Sequence, residues 1–361
     1  MKKENKKILI ATFLTFTLTS LFFISIILNI KIEDKKIFKE QNKVNNKSFA
    51  IMVESGNGYV ASDDDVWPIG YKLNEELTNC IDNSGTKIEN VLNYDNGQVS
   101  MKSNKNLFCY LYFDLGTPLY DKIMELSPTG LVKSYALTND TLYRFTSTSN
   151  NVNNYICLGT TNKCESGTEN MYRIIGVEPS TGYVKIIKQT ILNGTTYAWH
   201  SSTGVTWLNS SLFGIIQTYY NSQSFKSMIA SHTWGLGYVG SGKYNNKSSV
   251  LTAELTSTGT AYVGALALSD YYLAYTTDQN WNSNYNKNNW LHLSNNGYTS
   301  NMDWTMTSWD NSSAWQVSNL GGVGRTDMTY TYAVRPVFYL SNNVIFVKGS
   351  GTINDPFIVA Q

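Results

Sequence analysis

The sequence predicts an α+β chain with an N-terminal transmembrane helix, a small β module, and a larger mixed domain of one or two helices and many loops. Three observations lead there. An uncharged run rich in Leu, Ile and Phe extends from Ile8 to Ile30. From Phe49 onward, short apolar runs alternate with Gly, Asn, Asp and Ser, the pattern of strands and turns. Residues 205–220 instead carry Trp207, Leu208, Leu212, Ile215, Ile216 and Tyr219 at helical spacing.

Charge narrows the function classes. The 361 residues hold 28 Lys+Arg against 27 Asp+Glu, and only 15% are charged, where about 25% is usual. Ten of the basic residues and four of the acids fall in 1–47, so the remainder carries net −5. With no basic stripe to neutralise phosphates, a nucleic-acid partner is excluded.

The N-terminus sets the address. Lys2, Lys3, Lys6 and Lys7 in the short cytoplasmic tail (1–7) precede the 8–30 run. At about 1.5 Å per residue this run covers a hydrocarbon layer of roughly 30 Å. A cleaved signal would have an apolar stretch of about 7–15 residues and a small-x-small site, whereas this run reaches Lys31 without one. Lysines flank both ends, so the positive-inside rule nearly ties. The long C-terminal part and its cysteines favour export, giving a single-pass cell-membrane protein with its C-terminal domain outside. Residues 31–47, with six lysines and three acids, read as a solvated stalk.

Cys80, Cys109, Cys157 and Cys164 allow three pairings. Sequence-neighbour pairing joins Cys80 to Cys109 and Cys157 to Cys164, each closing a local unit, as suits an oxidising compartment. No C-x-x-C or H-x-H spacing points to zinc. Residues 48–115 read as the small β module, with runs at 51–53, 88–92, 99–101 and 107–113 and an Asn-Gly turn at 96–97. Asp63–Asp65 read as a solvated loop, because no calcium-loop pattern follows them. Residues 116–156 read as a connector, with a short helix around 120–126 stopped by Pro128 and Gly130, then a polar loop. The larger domain takes 157–361. It opens with a hairpin, 173–177 and 183–187, around a Pro179…Gly182 turn. The 205–220 helix and a shorter one at 224–230 follow, and the last strands fall at 332–340 and 344–347.

From Asn154-Tyr-Ile-Cys157 onward the chain resembles a widespread, functionally uncharacterised domain of Gram-positive bacterial surface proteins. The resemblance rests on that segment, Cys164, Met171-Tyr-Arg-Ile-Ile-Gly-Val177, His232-Thr-Trp234 and Leu268-Ser-Asp-Tyr271. It continues through Asn289-Trp290, Ala333-Val-Arg-Pro-Val-Phe-Tyr-Leu340, and Gly349-Ser-Gly-Thr with Asp355-Pro-Phe357. The Cys80…Cys109-Tyr-Leu-Tyr-Phe-Asp114 unit resembles a small module that often precedes this domain. More distantly, the large domain is similar to the C-type-lectin-like fold, which formylglycine-generating enzymes share. The resemblance implies a lectin-like fold and a surface location, and no catalytic residues.

Motifs give no chemistry. G-x-S-x-G, H-E-x-x-H and Walker patterns are missing, and no cofactor or metal is implied. The acids past Tyr172 show no pairing suited to glycoside hydrolysis, and Asp270 reads as a turn former. Buried in an apolar strand, Arg335 would need a carboxylate, either Asp270 or Asp303. Eight of nine tryptophans fall between 199 and 315. Aromatic faces stack on sugars while Asn and Asp satisfy hydroxyls. Trp207, Trp234 and Trp290 read as core, whereas Trp281, Trp304, Trp309, Trp315, Tyr285 and Asp303 form the candidate ligand-binding set. The expected function is non-catalytic recognition of an extracellular glycan or protein ligand. The alternatives are a structural or assembly role in the envelope and a wall-modifying hydrolase.

Overall fold

The computed structural model describes residues 47–361 except 57, 64–65, 96–97, 103–105, 127–131, 137–140, 149–151, 160–163, 166–167, 276–288 and 294–301. The expected membrane helix at 8–30, the stalk up to residue 46, the 96–97 turn, Trp281 and Tyr285 therefore lie outside the described residues, as do Asp64 and Asp65. Among the described residues, no helix is long and apolar enough to cross a membrane. The described chain is mixed, mostly strands with few helices, and forms two compact units.

The small unit takes residues up to 65, Leu73–Asn93 and Ser100–Tyr112. Its sheet runs in the order Gly58–Ala61, Lys47–Ser55, Leu107–Leu115, Asn79–Asp82, Lys87–Ile88. Alternation along Leu107–Leu115 buries Leu107, Cys109 and Leu111 and turns Phe108 outward. Cys80 lies directly opposite Cys109 in the antiparallel register, and a disulfide joins them. Closing this loop restricts the unfolded chain, which matters most where the core is small.

The large unit takes Val66–Lys72, Tyr94–Val99 and Phe113–Gln361. The main path of its ten-stranded sheet is Val263–Ala265, Pro336–Leu340, Tyr183–Lys188, Met171–Glu178, Tyr155–Cys157, Phe357–Ala360, Ile345–Lys348, Thr117–Pro118. Tyr155–Cys157 pairs parallel to Phe357–Ala360, while the hairpin and the strands beside it are antiparallel. A disulfide joins Cys157 to Cys164. The central strands Met171–Glu178 and Pro336–Leu340 are buried along their whole length. On one face the helix Ser211–Asn221 covers them, with Tyr219 stacked on Phe338 and hydrogen-bonded to Tyr172. On the other face lie charged side chains and the helix Leu268–Leu273.

Three expectations change. Residues 116–156 are no connector: Thr117–Pro118 and Thr141–Phe145 pair into the large sheet, and Leu119–Met124 is a helix with Leu119 and Ile123 in the core. Polar flanking loops hide these short core segments from a periodicity reading. The 205–220 helix begins only at Ser211, because Ser210 is extended and its hydroxyl accepts the Phe213 N–H at 3.0 Å. At 224–230 only a single 3-10 turn forms, Lys226–Met228. Ile229 and Ala230 leave it to bond the sheet edge at Leu340 and Tyr339.

Candidate functional site

Most of the expected aromatic platform is core. Trp304 has 0% exposure and donates its indole N–H to the Tyr197 carbonyl at 2.8 Å. Trp315 is buried and donates to Val239 O at 2.9 Å. Both lie on strands, Asp303–Ser308 and Ser313–Val317, whose side chains are almost all buried. Asp303 is also buried, and both Nε and Nη2 of Arg335 meet its Oδ2 at 2.9 Å. Trp309 is half-buried, with the Arg325 guanidinium 4.5 Å from its ring centre and Trp315 packed edge-on. The buried rings of Trp304 and Trp315 have no free face for a sugar. Indole N–H groups instead satisfy buried main-chain carbonyls, as Trp199 does at Thr305 and Trp290 at Phe145.

A different site appears on the charged face of the sheet. Arg144, Gly176, Lys185 and Tyr339 occupy one cross-strand row. A β-bulge between Ile174 and Gly176 sets that register. Glycine at 176 is required: a Cβ there would stand 2.0 Å from the Tyr143 carbonyl and 2.8 Å from Arg144 Cδ. The arginine thus lies across the glycine, and the Leu268–Leu273 helix brings Asp270 to both cations. Arg144 Nε donates to Asp270 Oδ1 at 3.2 Å, and Lys185 Nζ meets Oδ2 at 2.7 Å.

Glu178, which ends the Met171–Glu178 strand, accepts the Tyr339 hydroxyl at 2.8 Å and faces Arg144 Nη2 at 3.5 Å. His232 stacks on Tyr339 at 3.7 Å, its Nε2 3.4 Å from Glu178 Oε2. Glu254 closes the helix Lys247–Glu254, which the Asn246 side chain caps at its start. It is 3% exposed and accepts the Ser269 N–H at 3.2 Å and the Thr307 hydroxyl. Gly237 lets the chain after His232–Gly235 close on that helix end, donating its N–H to Glu254 O at 2.7 Å. A Cβ at 237 would sit 2.1 Å from Ala253 O.

These groups line a cavity of about 210 Å³, together with Thr233, Trp234, Leu251, Leu255 and Ser269 among others. Burial pushes the Glu254 carboxyl up to about 7, against its hydrogen bonds and with help from Asp270. Burial likewise pushes His232 down to about 4, opposed by Glu178. Burial would raise Asp270 too, but Lys185 and Arg144 overcome it and hold its carboxyl below the ordinary value. The wall therefore carries Arg144 and Lys185, an Asp270 held in its charged form, Glu178, a neutral imidazole and one carboxyl that titrates near neutrality. Family models, curated proteins and solved structures give no match to this chain. The site stands on its own geometry.

Sequence reasoning overlooked Arg144, Glu178, Lys185 and Glu254 and read Asp270 as a turn former. The signal was present in the strands. Arg144 and Lys185 each interrupt a run of apolar and aromatic residues, as Arg335 does, and a charge inside a core strand needs a partner. Glu254 gave no such signal, because its surroundings come from three separate elements. Among the described residues, no group of three His, Cys, Asp or Glu side chains could hold a metal ion.

Proposed function

We propose that this chain is a single-pass membrane protein, anchored by Ile8 to Ile30, whose extracellular lectin-like domain binds a glycan without catalysis. The cavity bounded by Glu254, His232 and the Arg144–Asp270–Lys185 group carries this reading. Hydroxyl-rich ligands suit a wall that offers carboxylates, an imidazole, Ser269 and Thr233 beside Trp234. The two disulfides agree with an oxidising compartment. The cavity is smaller than the roughly 300 Å³ at which drug-sized sites begin, so it suits the end group of a longer chain.

One observation favours hydrolysis as a second reading: a protonated Glu254 and an ionised Asp270 share the cavity, and such divergent carboxyls mark acid–base pairs. Both Asp270 oxygens, however, are held by cations. A nucleophile or base needs a free oxygen, so binding is preferred. Both readings meet one test, a glycan and cell-wall-fragment array probed with the full chain in mild detergent and with Leu255→Trp. Leu255 is exposed and lines the cavity, so the indole would fill the mouth without entering the core. The expected result is glycan binding lost in the variant, with ligands recovered intact. Unchanged binding in Leu255→Trp refutes the site, and cleaved ligands refute the non-catalytic assignment.

A further inference from the structure

We infer that the cavity takes the primary-ammonium group of an amino sugar, with Glu254 as its counter-charge. The inference rests on the glycan-binding reading and names the ligand class.

The charged groups along the cavity wall do not balance. Arg144 and Lys185 are matched by Asp270 and Glu178 through contacts of 2.7 to 3.5 Å. Glu254 is a third carboxyl on the same cavity, and among the described residues no Lys, Arg or His lies within ion-pair distance of it. Lys247, on its own helix, is directed elsewhere and donates to Tyr275 O at 2.7 Å. Without a further cation, this wall avoids a net negative charge only by keeping a proton on Glu254. One ligand ammonium would replace that proton and leave three positive charges facing three negative ones.

The surroundings select a sugar over a plain alkylamine. Ser269, Thr233 and His232 offer hydrogen-bonding groups around the same space, and Trp234 offers an aromatic wall. An alkyl chain would leave these groups unused, whereas ring hydroxyls can occupy them.

Acid should weaken the interaction, because the ammonium must compete with a proton. The other charged and titratable groups facing this space are Arg144, Glu178, Lys185, His232, Asp270 and Tyr339. Of these, His232 is neutral above about 4, and the cations hold the Asp270 carboxyl low. Glu254, at about 7, is the group whose charge changes between neutrality and mild acid.

The test is titration calorimetry of the full chain in detergent with three probes: a glucosamine oligosaccharide, its N-acetylated counterpart and butylamine. The free-amine sugar should bind at least about tenfold more tightly than either other probe, and Glu254→Gln should erase that preference. Wild-type affinity for the free-amine sugar should fall roughly tenfold from about pH 7 to about pH 5.5. The pH series uses unmodified protein, so the inference remains testable if the variant folds poorly. Equal or tighter binding of the N-acetylated sugar refutes the inference and leaves glycan binding standing. Butylamine as strong as the sugar refutes the amino-sugar assignment. If neither sugar binds and the array is also blank, the underlying reading fails with it.

Discussion

Two buried charge clusters in the large unit invite comparison. At the first, Arg335 meets Asp303 at 2.9 Å with two of its nitrogens and gives a further bond to the Leu291 carbonyl at 2.8 Å. At the second, two cations share a cavity wall with three carboxyls. The first sets Arg335 directly on Asp303 inside the core. The second leaves a carboxyl over and leaves space beside it. Matching of that kind fixes a fold, while the mismatch points to something that arrives from outside.

The comparison can be broken most directly by removing one cation from each cluster. Arg335→Met takes the cation away from the buried Asp303 carboxylate and should cost about 3–5 kcal/mol, read from denaturant midpoints. Lys185→Met should cost clearly less, since Arg144 still pairs with Asp270 and the cavity gives access to water. Equal losses would mean that the two clusters are both merely structural.

Proton linkage sharpens the contrast next. Glu254 binds its proton more tightly folded than unfolded, so its contribution to stability should fall as pH rises from about 4.5 to about 7. The full span of that shift corresponds to roughly 3 kcal/mol. His232 acts in the opposite sense: the unfolded chain takes up its proton first, so stability falls as pH drops from about 6.5 to about 4. Wild type should therefore show a shallow profile where the windows overlap, and Glu254→Gln should expose a rise with pH. A profile unaltered by that substitution would remove Glu254 as the unmatched group.

The smallest effect concerns the scaffold. Gly176→Ala forces the strand that bears Arg144 away from its neighbour and should cost about 1–3 kcal/mol. The Arg335 cluster should be unaffected, so binding should suffer more than stability implies. Calorimetry beside urea melts would separate the two effects.

Much of the framework was legible from local chemistry. The 171–188 hairpin announced itself through β-type runs around a Pro…Gly turn, and Gly182 adopts the left-handed φ of 68° there. Arg335 announced its need for a carboxylate, and Asp303 supplies it. The site was less legible, because its neighbours are far apart in sequence. Glu254 meets Thr307 across 53 residues and Arg144 meets Asp270 across 126. The tryptophans misled for a related reason. Polar Asn/Ser/Thr neighbours in sequence suggested exposed rings, but Trp304 and Trp315 sit on buried strands and give their indole N–H groups to main-chain carbonyls.

The parallel contact between Phe357–Ala360 and Tyr155–Cys157 bears on the order of assembly. A strand from the far end of the domain slots between two others drawn from its beginning and its end. Until some two hundred intervening residues have been synthesised, Tyr155–Cys157 has an open flank with hydrogen-bonding groups that nothing occupies. Slow maturation follows from such distant pairing. A newly made chain would have to be shielded from its siblings for as long as that flank stays open.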